Sequence, residues 1–256
     1  MLIITADDYG KTKHATDSIL TCHAGRHITS ASAMVFMEDS ERAAVLALIA
    51  GLEVGLHLNY TVPFNSGSIP SKLRDHHNRV ISYLNAYKLN QMLFNPFLRN
   101  SFHYLFSTQQ DEFIRIYGKK PEFFNGHHHM HLCANVLLAG MIPTGERVRR
   151  TFTFNSGEKN LLNRLFRRVI DNMIAKRYIS SDSFFSMTPI QDKRLQNIFS
   201  RGVKDIVEIE VHPENREEMD FLLSDRYLHF ASSVRLGSFK EADKKKKKGE
   251  WLNKCS

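Results

Sequence analysis

The sequence is poor in cysteine and in long apolar runs. Its three cysteines, Cys22, Cys133 and Cys255, lie far apart, are odd in number and form no C-x-x-C pair. That argues against a disulfide framework and for a reducing compartment. The longest apolar stretch, around residues 43–52, is too short to cross a bilayer. The first residues lack the basic n-region and long apolar core of a secretory signal. A cytoplasmic protein without a membrane span is therefore expected. No internal repeat and no Gly/Ser-rich linker interrupts the chain, so one domain over residues 1–256 is the simplest account.

What is present is ordinary for a globular protein, apart from its charge. A hydrophobic fraction of 42% over 256 residues suffices for a substantial core without covalent staples. The net charge of +8 is a candidate nucleic-acid signal. However, five of those charges form the lysine run 244–248, and many others fall within 159–177. A run of that kind near a terminus reads as a solvated tail, here residues 241–256. No nucleic-acid partner is expected.

Short β-type runs alternate with helical spacing. Candidate strands are 2–6, 30–36, 53–58, 121–125, 147–153, 178–185 and 205–212. Helical stretches include 13–24, 40–48 and 160–176, the last with Leu161, Leu162, Leu165, Val169 and Met173 on one face. This alternation predicts an α/β fold with about seven parallel strands, as an incomplete (β/α) barrel or a wide open sheet. Segment 62–100 departs from the rhythm, with Pro63, Pro70 and Pro96 among Phe64, Tyr83, Tyr87, Phe94 and Phe97. It reads equally as a substrate-binding loop insertion and as a docking surface for a second subunit. A homodimer is the base-rate expectation.

The polar residues fall at strand ends, which in parallel α/β folds form the active-site face. The first strand runs into Asp7-Asp8, the third holds His57, and the fourth ends in Asn125-Gly126-His127-His128-His129-Met130-His131. The sixth contains Ser181-Asp182, and the last contains Glu208 and Glu210 and ends in His212-Pro213. Taken singly, Asp7-Asp8 reads as a helix N-cap and His57 as a core histidine. Four histidines within residues 127–131 are harder to explain that way. In extended chain His127, His129 and His131 share one face, and in a helix His127 and His131 do. An Asp with two His makes a mixed O/N site with room for water, suited to a catalytic divalent ion. Zn²⁺ fits that set, and Mg²⁺, Mn²⁺, Fe²⁺ and Co²⁺ are also compatible with it.

These ordered motifs, from Thr5 to about Gly237, resemble the YdjC/ChbG-like carbohydrate deacetylases. The resemblance is carried by Ala6-Asp7-Asp8-Tyr9-Gly10, Thr29-Ser30-Ala31-Ser32, Gly55-Leu56-His57-Leu58-Asn59-Tyr60-Thr61, the His127–His131 motif, Ser181-Asp182-Ser183-Phe184 and Glu208-Ile209-Glu210-Val211-His212-Pro213. It implies a (β/α) barrel related to the polysaccharide deacetylases. It implies removal of acetyl from N-acetylglucosamine units of small chitin-type oligosaccharides or glycoconjugates, with one divalent metal ion, Mg²⁺ or Zn²⁺. By the same resemblance Asp8, His57 and His127 are metal ligands, Asp7 the general base and His212 the acid that protonates the leaving amine. Glu208 would orient His212 or a group beside the metal, and His129 and His131 would support the site or touch sugar. The chain departs from the pattern at Asn125, where the family usually has Asp, at Glu214, where Gly is common, and at Glu210, where an apolar residue is usual. Two other functions compete. One is phosphoester or other amide hydrolysis on the same scaffold, for which only Lys11 and Lys13 offer nearby cations. The other is a non-enzymatic basic binding module.

Overall fold

A computed structural model describes residues 1–67, 69–154 and 161–242, without the side chains of Leu161 and Leu162. Among these residues six strands form one all-parallel sheet: β1 (Leu2–Tyr9), β2 (Ser30–Ala33), β3 (Val54–Leu58), β4 (Phe124–Gly126), β5 (Ser183–Ser186) and β6 (Val207–Val211). Their order is β4-β3-β2-β1-β6-β5. Among the described residues nine α-helices connect and cover them: α1 (Lys13–Ala24), α2 (Ser40–Ala50), α3 (Ser71–Ala86), α4 (Arg99–Tyr117), α5 (Ala134–Leu138), α6 (Leu161–Arg177), α7 (Asp192–Arg201), α8 (Arg216–Leu222) and α9 (Asp225–Ser232).

Segment 147–153, expected as a strand, is not one. It makes single bridges, Val148 to Phe124 of β4 and Arg147 to Ile179 ahead of β5. Arg149 N–H donates to Phe124 O at 3.0 Å and Val148 N–H to Ile179 O at 2.9 Å. Neighbouring residues thus bond to opposite sides, and neither side continues long enough to make a ladder. The segment nevertheless spans the gap between the two sheet edges, so the curled sheet is nearly closed.

The strands are buried on both faces, as parallel strands under helices must be. Leu2, Ile4 and Ala6 of β1 and Val207, Ile209 and Val211 of β6 join the main core under the helices. Ile3 belongs to a second cluster with Met1, Phe123, Ile206, Phe239 and Ala242. The alternate row of strand residues is polar and buried: Thr5, Asp7, Ser30, Ser32, His57, Asn125, Glu208 and Glu210. Side chains alternate along a strand, so this row shares the face opposite the main core.

Segment 62–100 is largely helical rather than a loop, because α3 occupies its centre. On α6 the expected apolar face is not the packed one: Leu165 and Val169 are more than half exposed, while Ile174 is buried. The basic tail lies outside the described residues from 243 onward, as does Cys255. No helix among the described residues is long and apolar enough to cross a membrane.

Candidate active site

Adjacent residues of a regular strand point to opposite faces, so Asp7 and Asp8 cannot both face one pocket without a distortion. The pairing of β1 with β2 shifts between Ala6 and Tyr9, and Asp8 has φ 66°. This bulge turns both carboxylates toward one pocket of about 500 Å³, also lined by Lys11, His57, His127, His128, His129, Glu210, His212 and Glu214.

Asp8, His57 and His127 converge there. Asp8 Oδ1 lies 3.4 Å from His57 Nε2 and 3.9 Å from His127 Nε2. That oxygen is buried and has no hydrogen-bond partner, while Oδ2 accepts from Lys11 Nζ at 2.8 Å. Each imidazole is held by its far nitrogen. His57 Nδ1 donates to Asn125 Oδ1 at 2.7 Å, and His127 Nδ1 shares a hydrogen bond with Thr61 Oγ1 at 2.5 Å. Both Nε2 atoms are then directed at the Asp8 side, the arrangement that ligating histidines use. Burial, and then the neighbouring His57, lower the His127 imidazole to about 3, so it is neutral. As they stand, no three His, Cys, Asp or Glu among the described residues are drawn together closely enough to cage an ion. The donor chemistry and the orphaned Asp8 oxygen nevertheless fit a divalent cation.

Asp7 has a different environment. Its Oδ1 accepts from Ser32 Oγ at 2.7 Å, Arg149 Nη2 at 2.9 Å and Asn125 Nδ2 at 3.3 Å. Its Oδ2 accepts from Arg149 Nη1 at 2.5 Å. Arg149 is buried and also donates to Glu208 Oε1 at 2.7 Å and Glu210 Oε2 at 3.2 Å. One guanidinium cannot neutralise three carboxylates, so the charge must be shared unequally. Burial pushes Glu208 up and Glu210 up to about 8. Burial acts on Asp7 as well, but Arg149, together with His57 and His212, outweighs it and holds that carboxyl well below the usual carboxylate range. Of the three, Asp7 is the carboxyl whose ionised form is favoured.

His212 enters from the end of β6. Its Nδ1 is 3.7 Å from Glu218 Oε1, and its backbone N–H donates to Glu218 Oε2 at 2.8 Å. Burial disfavours its charge, yet the Glu218 carboxylate, with Asp7 and Glu210, lifts it to about 9. His212 is protonated at neutral pH.

The His127–His131 segment is neither strand nor regular helix. It is a tight 3₁₀ turn in which His128 and His129 have φ 52° and 60°. The rings diverge in consequence. His127 faces Asp8, His129 Nε2 lies 3.6 Å from Glu210 Oε2, and His131 Nε2 is buried against Arg149 O at 3.0 Å. Glu208 bonds Arg149, and the carboxylate beside His212 is Glu218. Sequence reasoning missed Arg149, which stands between Arg147 and Arg150 with nothing in the local sequence to single it out. It also gave no role to Thr61 or Glu218.

A model of the YdjC-like protein family matches residues 1–235. The chain is 28% identical over 133 residues to a chitooligosaccharide deacetylase from Proteus mirabilis (strain HI4320), across 52% of this chain and 50% of that protein. A chitooligosaccharide deacetylase from Serratia marcescens is 26% identical over 133 residues, across 52% and 51%. The chain spans about half the length of the curated relatives it matches. Among solved structures, a protein from Enterococcus faecalis V583, provisionally described as a cellobiose-phosphate cleavage protein, superposes with a TM-score of 0.69 at 15% identity. That match covers 94% of this chain and 98% of the other, and at that identity it speaks for the fold.

Proposed function

The chain belongs to the YdjC-like family, and from that premise we propose that it is a metal-dependent hydrolase of N-acetylglucosamine-type sugars, removing their N-acetyl group. The observation that carries this reading is the pairing, across one pocket, of an ionised Asp7 gripped by Arg149 with a protonated His212. Amide hydrolysis needs a base for the attacking water and an acid for the departing amine, and these two groups supply them. The relatives' description as chitooligosaccharide deacetylases supports the same chemistry.

Asp8, His57 and His127 would hold the ion, Zn²⁺ or Mg²⁺, which supplies Lewis-acid polarisation of the acetyl carbonyl. Asn125 and Thr61 keep the two imidazoles in the tautomer with Nε2 free. Arg149 fixes the Asp7 carboxylate, whose Oδ2 accepts one bond among the described residues and keeps a lone pair for the proton of the attacking water. His212 gives its proton to the leaving nitrogen. Glu218 keeps it charged until then.

Phosphoester hydrolysis is the weaker reading. Lys11 is matched by Asp8 and Glu214, and Arg149 by Asp7, Glu208 and Glu210. Neither cation is left over for a phosphate dianion.

The test is acetate release from N-acetylated chitobiose by the wild type, with and without chelator, and by Asp7→Asn. Release should stop with chelator and return with Zn²⁺ or Mg²⁺. Loss of the base should slow it by about 10²–10⁴-fold. Full activity in Asp7→Asn would remove Asp7 from the mechanism, and phosphatase activity without acetate release would favour the second reading.

A further inference from the structure

The catalytic pocket does not end at His128 and His129. Both residues also line a second cavity of about 540 Å³, within the range of small-molecule sites. Its walls are Met92, Leu132, Phe152, Phe166 and Ile170, drawn from segment 62–100, the turn after β4, segment 147–153 and α6. Phe152 stacks on Phe184 and meets the His129 ring edge-on, so the apolar wall begins where the catalytic pocket stops.

On the α6 side of this groove the polar groups are largely engaged with one another. Thr151 Oγ1 donates to Asp171 at 3.0 Å, and Arg167 Nε to Asn163 Oδ1 at 2.8 Å. A second sugar ring would need hydroxyl partners along its edge, whereas an alkyl chain needs none. Met92 and Phe166 remain 50% and 41% exposed within the groove, and Leu165 and Val169 extend the apolar surface along α6 beyond it. Apolar surface left open beside a polar pocket marks a place where a ligand removes it from water.

We propose that the substrate is an amphiphile, an N-acetylated amino sugar joined to a long apolar chain, with the sugar at the Asp7–His212 pocket and the chain in the groove walled by Met92, Phe152, Phe166 and Ile170. The inference rests on the deacetylase reading for the sugar end, and on the groove alone for the chain.

Octyl N-acetylglucosaminide, below its micelle concentration, would be compared with the methyl glycoside and with N-acetylated chitobiose. Binding is read by calorimetry and turnover by acetate release. Burying one methylene is worth about fourfold in affinity, so the octyl compound should bind at least about tenfold tighter than the methyl one. Phe166→Asp and Met92→Asp, both at exposed positions, should bring the octyl-to-methyl ratio toward unity, with thermal unfolding confirming that each folds. Equal affinity for octyl and methyl glycosides would overturn the proposal, as would chitobiose binding as tightly as octyl glycoside with the ratio unmoved in both variants. Chain-dependent binding without acetate release from any compound would uphold the groove and remove the deacetylase reading instead.

Discussion

Arg149 faces Asp7, Glu208 and Glu210 from a buried position, and its removal takes away the cation that all three share. Breaking a buried ion pair from one side costs about 3–5 kcal/mol. Arg149→Met should lower the stability read from a urea titration by that order, while an unchanged midpoint would mean the group is solvated. Arg149→Lys should recover only part of the loss, since one ammonium cannot replace a planar fork bonded to three acids. His212 makes a prediction about pH. The reaction needs its protonated form, which is present below about 9 and lost as the pH rises through that value. Glu218→Gln removes a carboxylate that raises it, so the alkaline limb of the kcat/KM profile should move to lower pH. A limb that stays in place would take the acid role from His212. Asn125 is the third case. An Asp there would accept more strongly from His57 Nδ1, and Asn125→Asp should tighten Zn²⁺ binding about 10-fold or more in a calorimetric titration.

Two irregular elements place these side chains. The bulge in β1 lets consecutive aspartates serve one pocket, and the turn after β4 sends three nearby histidines in three directions. The turn depends on Gly126. A Cβ there would meet His131 N at 2.9 Å and Leu58 O at 3.1 Å, both backbone atoms that cannot swing aside. Gly126→Ala should therefore cost about 1–3 kcal/mol as an overpacked site does and displace His127. Crystal structures and metal titration of the variant would show this, and a variant with unchanged metal affinity would mean the turn adapts. Periodicity made α6 legible as a helix. It did not reveal which face packs, because Leu165 and Val169 are left exposed while Ile174 is buried.

Across the whole molecule, closure of the sheet depends on segment 147–153. If its few bonds join the two edges, the amides of Val148, Arg149 and Thr153 should exchange slowly despite belonging to no strand. Exchange at the rate of a surface loop would show an open seam. The sequence by itself determined the parallel strand–helix rhythm and the rim carrying Asp7, Asp8, His57, His127 and His212. Both are local: apolar runs make buried strands, and polar residues at their ends have one side on which to gather. The number of strands, the ionised state of Asp7, the separate fates of His127, His129 and His131, and the partners Arg149, Thr61 and Glu218 were decided only by tertiary structure. Each depends on groups distant in the chain meeting inside the barrel, where a charge is set by the number of neighbours that share it.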